Sequence, residues 1–237
     1  MVVLHPSLLP KYRGAAPIQY SLLNGDKEAG VSIIEISKNK FDAGKILLQE
    51  KVHVNPTARY GELSMELALT GGNRIIDFLE NYEHYKTKAI PQDKAPYEAS
   101  KAPKFKQEDT VLNWVNFTNE EIYNRYRAFY GSNFITVRTK WSDTWFFMDE
   151  MGLVSNSDEQ NTFLQSYPNA EPGSIWVLRS KKYKNNMYVK CKQGWVEIRS
   201  GYLQDKKPAP VYKFVNQYID KEKIYADEKG KGVYFFL

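Results

Sequence analysis

Cysteine is almost missing from this chain: Cys191 is the sole one in 237 residues. An internal disulfide is therefore excluded, and a reducing compartment fits. Histidine is scarce too, with only His5, His53 and His84, far apart in sequence. One Cys and three scattered His provide no zinc-ligand spacing, so no metal is expected. No apolar run approaches the roughly 18 residues of a membrane-spanning helix, so no membrane partner is expected. The opening at Met1 lacks the basic start and long apolar stretch of a cleavable signal. No internal repeat is visible.

What is present suffices for a core. Hydrophobic residues make up 42% of the chain, which argues against wholesale disorder. The net charge of +5 is a mild bias, but it is unevenly spread. Between Trp176 and Pro210 there are nine Lys or Arg (Arg179, Lys181, Lys182, Lys184, Lys190, Lys192, Arg199, Lys206, Lys207) against Glu197 and Asp205. Phosphate is the natural partner of such a stretch.

The pattern divides the chain into 1–85, a linker at 86–108, and 109–237. In the first region Ala15–Leu23 reads as a helix, with Pro17 tolerated in its first turn and Asn24-Gly25 ending it. Gly30–Ile36 and Lys45–Val54 read as strands. Thr57–Tyr82 reads as a long helix in which Gly71-Gly72 marks a kink or a close approach. Residues 86–108, with Pro91, Pro96 and Pro103, have linker composition. In the last region Thr118 and Glu121 form a capping box ahead of a helix. Short strands are expected at Phe134–Val137, Trp145–Met148, Ser174–Leu178, Met187–Cys191 and Trp195–Ile198, suggesting a small sandwich or barrel, before a closing helix at Val211–Ile219.

Chemistry concentrates near the start. His5 follows Val2-Val3-Leu4, the expected end of a strand, where open α/β sheets bind ligands. An imidazole there can donate to a developing oxyanion or move a proton. Asp42, in the loop Phe41-Asp42-Ala43-Gly44 between two strands, can orient that imidazole. On spacing alone, a capping His in a turn and an Asp satisfying loop amides are the favoured explanation of these residues. Tyr183, Tyr188, Trp195 and Tyr202 interleave with the basic stretch; they fit either a nucleic-acid groove or core aromatics under a solvated face.

The string His5-Pro-Ser-Leu-Leu-Pro-Lys-Tyr-Arg-Gly-Ala-Ala-Pro-Ile-Gln19 resembles the signature of the 10-formyltetrahydrofolate-dependent formyltransferases, and among them the methionyl-tRNA formyltransferase family. Asn24-Gly-Asp26, Gly30-Val-Ser-Ile33, Phe41–Leu47, Leu112-Asn-Trp114, Tyr126-Arg-Ala-Phe129 and Leu203–Pro208 continue the likeness in order. Lys38-Asn-Lys40-Phe-Asp42 is more similar to the mitochondrial than the bacterial form.

The resemblance implies a partial Rossmann-like α/β catalytic domain followed by a β-rich, OB-like barrel that binds tRNA. It implies His5 and Asp42 as catalytic groups, and Ser7, Leu8, Leu9 and Pro10 as part of a folate-binding loop. The formyl donor would be 10-formyltetrahydrofolate, the acceptor initiator methionyl-tRNA, the compartment the mitochondrial matrix, and the protein a monomer. A non-catalytic tRNA-binding protein and a formyltransferase acting on another amine are the alternatives. The family carries an Asn two residues before the His, where this chain has Val3, which donates nothing. Because the signature opens the chain, about half of the family's nucleotide-type sheet is expected to be missing upstream. Impaired or absent activity, with no measurable turnover from this chain alone, and uncovered apolar surface in the first region follow from that expectation.

Overall fold

The computed structural model describes residues 1–37, 40–134, 136–154, 164, 167, 169–178 and 186–219. It divides into two units: Met1–Lys106 with Arg127–Ser132, and Gln107–Tyr126 with the residues from Asn133 onward.

In the first unit the chain runs β1 (Val2–His5), α1 (Pro17–Leu23), β2 (Glu28–Glu35), β3 (Ile46–His53), α2 (Tyr60–Glu80) and α3 (Tyr82–Thr87). Pro17 sits at the start of α1, and Gly25 leaves it at φ +65°. The strands form one sheet in the order β1-β2-β3. Both pairings are antiparallel, with His5 opposite Ser32 and Ser32 opposite Gln49. The βαβ crossovers of a doubly wound sheet are thus absent from the described strands of this unit.

β2 is central and buried on both faces. Ile33 joins Leu47, Leu48 and Phe78 of α2, while its neighbour Ile34 joins Leu9 and Ile46. Leu63 and Leu67 of α2 close a second cluster over Ile18, Leu22 and Val31. Each fully buried side chain of this size contributes about 1.5–3 kcal/mol.

The helix expected at 57–82 ends at Asn81, whose backbone N–H still bonds to Asp77 O, and α3 follows. Gly71 is a point of close approach: a Cβ there would stand 2.7 Å from Leu4 Cδ2. On another face of α2, Met65, Leu69, Ile76 and Leu79 are 57–65% exposed. Their spacing of four, seven and three residues keeps them on one stripe. The uncovered apolar surface expected of this region is therefore observed.

The stretch 86–108 differs from the expected free linker. Ile90 exchanges two backbone hydrogen bonds with Ile46, at 2.8 and 2.9 Å. Ser100 and Ala102 bond along the Arg13 segment, and Gln92–Lys94 forms a 3₁₀ turn with Gln92 buried. Proline-rich composition signals the lack of regular structure, not the lack of packing.

The second unit contains most of α4 (Asn119–Phe129), followed by β4 (Arg138–Trp141), β5 (Thr144–Leu153), β6 (Ile175–Leu178), β7 (Asn186–Lys190), β8 (Trp195–Leu203), β9 (Ala209–Pro210) and α5 (Val211–Tyr218). The capping box is present: Glu121 N donates to Thr118 Oγ1 at 3.2 Å, and Thr118 N to Glu121 Oε2 at 2.7 Å. The strands pair antiparallel in the order β4-β5-β8-β7-β6, with β9 beside β8. Among the described residues, β4 and β6 are the ends of that order. The strand expected at 134–137 begins instead at Arg138, and Trp145–Met148 and Trp195–Ile198 are parts of longer strands.

Candidate functional site

The first unit brings His5 and Asp42 together across 37 positions of sequence. His5 ends β1 and is buried. Its Nε2 lies 3.0 Å from Tyr12 O, an acceptor with no proton to give, so Nε2 carries the proton. Nδ1 then faces Asp42 Oδ1 at 3.8 Å, which is an ion-pair distance when the ring is charged. Asp42 occupies the left-handed region at φ +52° and uses its other oxygen to accept the Gly14 amide at 3.0 Å. The carboxylate thus bridges the ring and the loop after it.

That loop, residues 6–14, is fastened to the sheet by side chains. Ser32 Oγ donates to Ser7 O at 2.6 Å and accepts Leu9 N at 3.1 Å. Gln49 Nε2 reaches Leu9 O and Ser32 Oγ, both at 2.8 Å. Ser7 Oγ in turn donates to Lys11 O at 2.6 Å. Ser7, Leu8, Leu9 and Pro10 are all buried. Ser7 and Leu8, with Pro6, Lys11, Tyr12, Asp26 and others, line a cavity of about 420 Å³. Leu9 and Pro10 do not face it.

Asp26 organises one wall of that cavity. Lys11 Nζ donates to both its oxygens at 2.9 and 2.8 Å, and Tyr12 OH to one of them at 2.8 Å. Burial pulls the Lys11 ammonium down, but Asp26 more than offsets this and leaves it above its usual value. Burial pushes the Tyr12 phenol up; Asp26 adds to the rise, while a hydrogen bond from Asn24 opposes it.

A second cavity, of about 360 Å³, opens beside Asp42 and is walled by Val3, Ile34, Ile36 and Phe41 among others. Val3 and His5 are two apart on a strand and share a face. A donor at position 3 would therefore point to the same side as the imidazole, and valine leaves that side apolar.

Three partners in this arrangement carried no signal in the sequence. Tyr12 and Gly14 act through main-chain groups, and Gln92 lies within the supposed linker. Gln92 Nε2 donates to Asp42 O at 2.7 Å and to Gly44 O at 2.9 Å, and its Oε1 accepts Arg13. Among the described residues, no group of three or more His, Cys, Asp or Glu converges as a metal site would require.

In the second unit the basic and aromatic stretch 176–210 is only partly described. Tyr188 and Trp195 are core residues, as is Trp176. Arg179, Lys181, Lys182, Tyr183 and Lys184 lie outside the described residues, as do Lys38 and Asn39. A different basic and aromatic face exists. Thr139 and Phe146 point into the core, so Arg138, Lys140, Trp145 and Phe147 share the outer side of β4 and β5. Arg138 and Lys140 lie 4.2 and 4.3 Å from the Trp145 ring centre, and Phe147 stacks on Tyr202 of β8 at 5.2 Å.

Comparison with known proteins bears on both units. The formyl transferase family model matches residues 1–79, and the formyl transferase C-terminal domain model matches residues 104–218. The methionyl-tRNA formyltransferase of Kosmotoga olearia is 35% identical over 210 residues, covering 88% of this chain and 61% of that protein. The mitochondrial methionyl-tRNA formyltransferases of Bos taurus and Homo sapiens are 34% and 33% identical, each covering 91% of this chain and 53% of the relative. The chain therefore spans between half and two thirds of the length of these relatives. Bacterial and mitochondrial relatives are equally close, so identity does not assign a compartment.

Two solved structures share the fold. HypX from Aquifex aeolicus in complex with tetrahydrofolic acid superposes with a TM-score of 0.61 at 18% identity, covering 93% of this chain and 35% of that one. The N-formyltransferase from Helicobacter canadensis, in complex with folinic acid and dTDP-3-aminofucose, gives 0.60 at 19%, covering 85% and 66%. The first unit corresponds to the Rossmann-like part of that fold and the second to its strand-rich C-terminal domain. With a model matched in each unit and the His5–Asp42 pair inside the first match, the chain belongs to the formyl transferase family.

Proposed function

We propose that this chain serves the transfer of a formyl group from 10-formyltetrahydrofolate to the α-amine of initiator methionyl-tRNA, in mitochondrial translation initiation. The observation that carries this reading is the His5–Asp42 pair, held by the Gly14 amide at the end of β1. In the reaction the amine nitrogen bonds to the formyl carbon, the bond from that carbon to the folate nitrogen breaks, and the proton given up by the amine is balanced by one taken up at the departing folate nitrogen. His5 is the donor to the developing oxyanion; to act so, Nε2–H turns from Tyr12 O to the substrate. Asp42 orients the ring and accepts the amine proton.

The folate fits the residues present. The cavity beside Asp42, at about 360 Å³, lies within the size range of small-molecule sites, and its apolar wall suits a flat aromatic ring. Ser7, Leu8, Leu9 and Pro10 serve the folate by shaping the loop after His5; Ser7 and Leu8 line the neighbouring cavity walled by Asp26, not the one beside Asp42. Val3 removes one oxyanion donor, a loss that typically costs about 10²–10³ in rate. The tRNA belongs on the second unit, an OB-like platform where Arg138, Lys140, Trp145, Phe147 and Tyr202 offer charge for phosphate and faces for stacking. The protein works as a monomer.

The test is a formylation assay with methionyl-tRNA and 10-formyltetrahydrofolate, run beside tRNA binding at a series of salt concentrations. Slow turnover, abolished in His5→Ala and Asp42→Asn, is expected. Binding should fall steeply with salt, because each phosphate contact adds about one to the log–log slope. Binding that ignores salt would sink the tRNA assignment. Salt-steep binding without turnover would favour a tRNA-binding protein without catalysis, the reading to which Val3 points.

A further inference from the structure

We infer that Gln92 is a positioning residue for Asp42, locking the carboxylate-bearing loop in register with His5. The inference rests on the reading of Asp42 as the catalytic carboxylate. The Gln92 amide is 5% exposed and fully used. Its two N–H groups go to Asp42 O at 2.7 Å and Gly44 O at 2.9 Å. Its oxygen takes Arg13 Nε at 2.8 Å and an Arg13 terminal nitrogen at 2.5 Å. The orientation of the amide is fixed by chemistry, because a guanidinium only donates and a carbonyl only accepts.

The contacts close a ring. Asp42 Oδ2 accepts the Gly14 amide, Gly14 follows Arg13, Arg13 binds Gln92, and Gln92 holds the main chain of Asp42 and Gly44. Gln92 is itself anchored, because Ile90 pairs with Ile46 at the start of β3. It therefore ties the Asp42 loop both to the sheet and to the loop that carries the Tyr12 acceptor of His5. Asp42 needs such support: it sits at φ +52°, and its neighbour Phe41 is 96% exposed and contributes little packing.

Gln92→Glu separates this role from a general structural one. It keeps the shape and the acceptor for Arg13, but turns the two donors toward carbonyls into acceptors. Gln92→Leu removes both functions. Two readouts apply to the full chain. By NMR, the Gly14 amide proton reports its bond to the Asp42 carboxylate, and the His5 ring nitrogens report the facing charge; Asp42→Asn and His5→Gln identify those signals. By formyl transfer, kcat is expected to fall about 10²-fold in both variants, as for a displaced catalytic group, with KM little changed.

Moved Gly14 and His5 signals in Gln92→Glu, with the thermal midpoint largely kept, are the expected result. Wild-type signals in Gln92→Glu would overturn the proposal, because the Arg13 contact alone would then suffice. Loss of the fold in both variants would overturn it too, making the residue merely structural. If the wild-type chain turns nothing over, the proposed reaction fails while the NMR comparison still decides the role of Gln92.

Discussion

Replacing Gly44 with alanine tests how tightly the Asp42 loop is held. A Cβ at Gly44 would lie 1.7 Å from Glu35 O and 2.6 Å from Glu35 C. Neither atom can retreat cheaply. Glu35 ends β2, which is paired on both sides, and its own amide bonds to Lys45 O at 3.0 Å. The loop must move instead, and ordinary contact with that oxygen begins at 3.4 Å. A shift of well over ~1 Å follows, enough to break the Gln92 bonds to Asp42 O and Gly44 O. Two lost hydrogen bonds at about 1 kcal/mol each, with strain from overpacking of about 1–3 kcal/mol, give a destabilisation of about 3–5 kcal/mol. Urea unfolding followed by circular dichroism at 222 nm measures it, and the Gly14 amide signal reports whether Asp42 has moved. Gly72→Ala is the control, since a Cβ there meets nothing within 4 Å in the interior of α2. It should stabilise by up to about 1 kcal/mol through helix propensity. A Gly44→Ala variant with a wild-type midpoint and an unmoved Gly14 signal would refute the reasoning.

Three further outcomes are expected. Burial pushes the Cys191 thiol up to about 12 from an ordinary value of 9.0. The unfolded chain therefore loses this proton first, and stability should decline as pH rises from about 9 toward 12, by as much as ~4 kcal/mol at about 1.4 kcal/mol per pH unit; Cys191→Ala should flatten that part of the urea-unfolding profile, and parallel profiles would discount the thiol. Phe78→Ala removes a ring that is 1% exposed among Ile33, Leu47 and Leu48, and should cost about 3–5 kcal/mol in the same assay. Leu69→Lys, on the exposed stripe of α2, should change stability by no more than about 0.5 kcal/mol while lowering binding of a hydrophobic dye and self-association seen by light scattering.

These tests also mark where single-sequence reasoning succeeds. α1, β2, β3 and α2 were legible because periodic apolar residues and their stop signals are local properties. So was the Thr118–Glu121 capping box, whose two side chains lie three residues apart and need no tertiary partner to meet. The His5–Asp42 pair was legible through the signature His5–Gln19 and Phe41–Gly44 and not through spacing, which alone favours a capping His and an Asp satisfying loop amides. The basic and aromatic face of β4 and β5 was not legible because counting residues along the chain ignores pairing between strands. Lys140 meets Trp145, and Phe147 meets Tyr202, only through antiparallel register, while Tyr188 and Trp195 turn inward.

The least legible part of the site is the part that fixes its geometry. Tyr12 O, the Gly14 amide, and the carbonyls of Asp42 and Gly44 are main-chain groups, present at every residue and therefore silent in a sequence. The one side chain that gathers two of them, Gln92, lies 50 residues from Asp42 amid prolines that read as a tether. Pro91 at the extended φ of −60° and ψ of 147° opens the 3₁₀ turn, and the Ile90–Ile46 bridge sets it against the loop. The proline-rich segment thus delivers a neutral, bifunctional amide to the point where two main-chain carbonyls and the Arg13 guanidinium converge. An amide satisfies carbonyls and guanidinium alike and leaves the Asp42 carboxylate to the Gly14 amide and to His5 Nδ1, which faces Oδ1 at 3.8 Å.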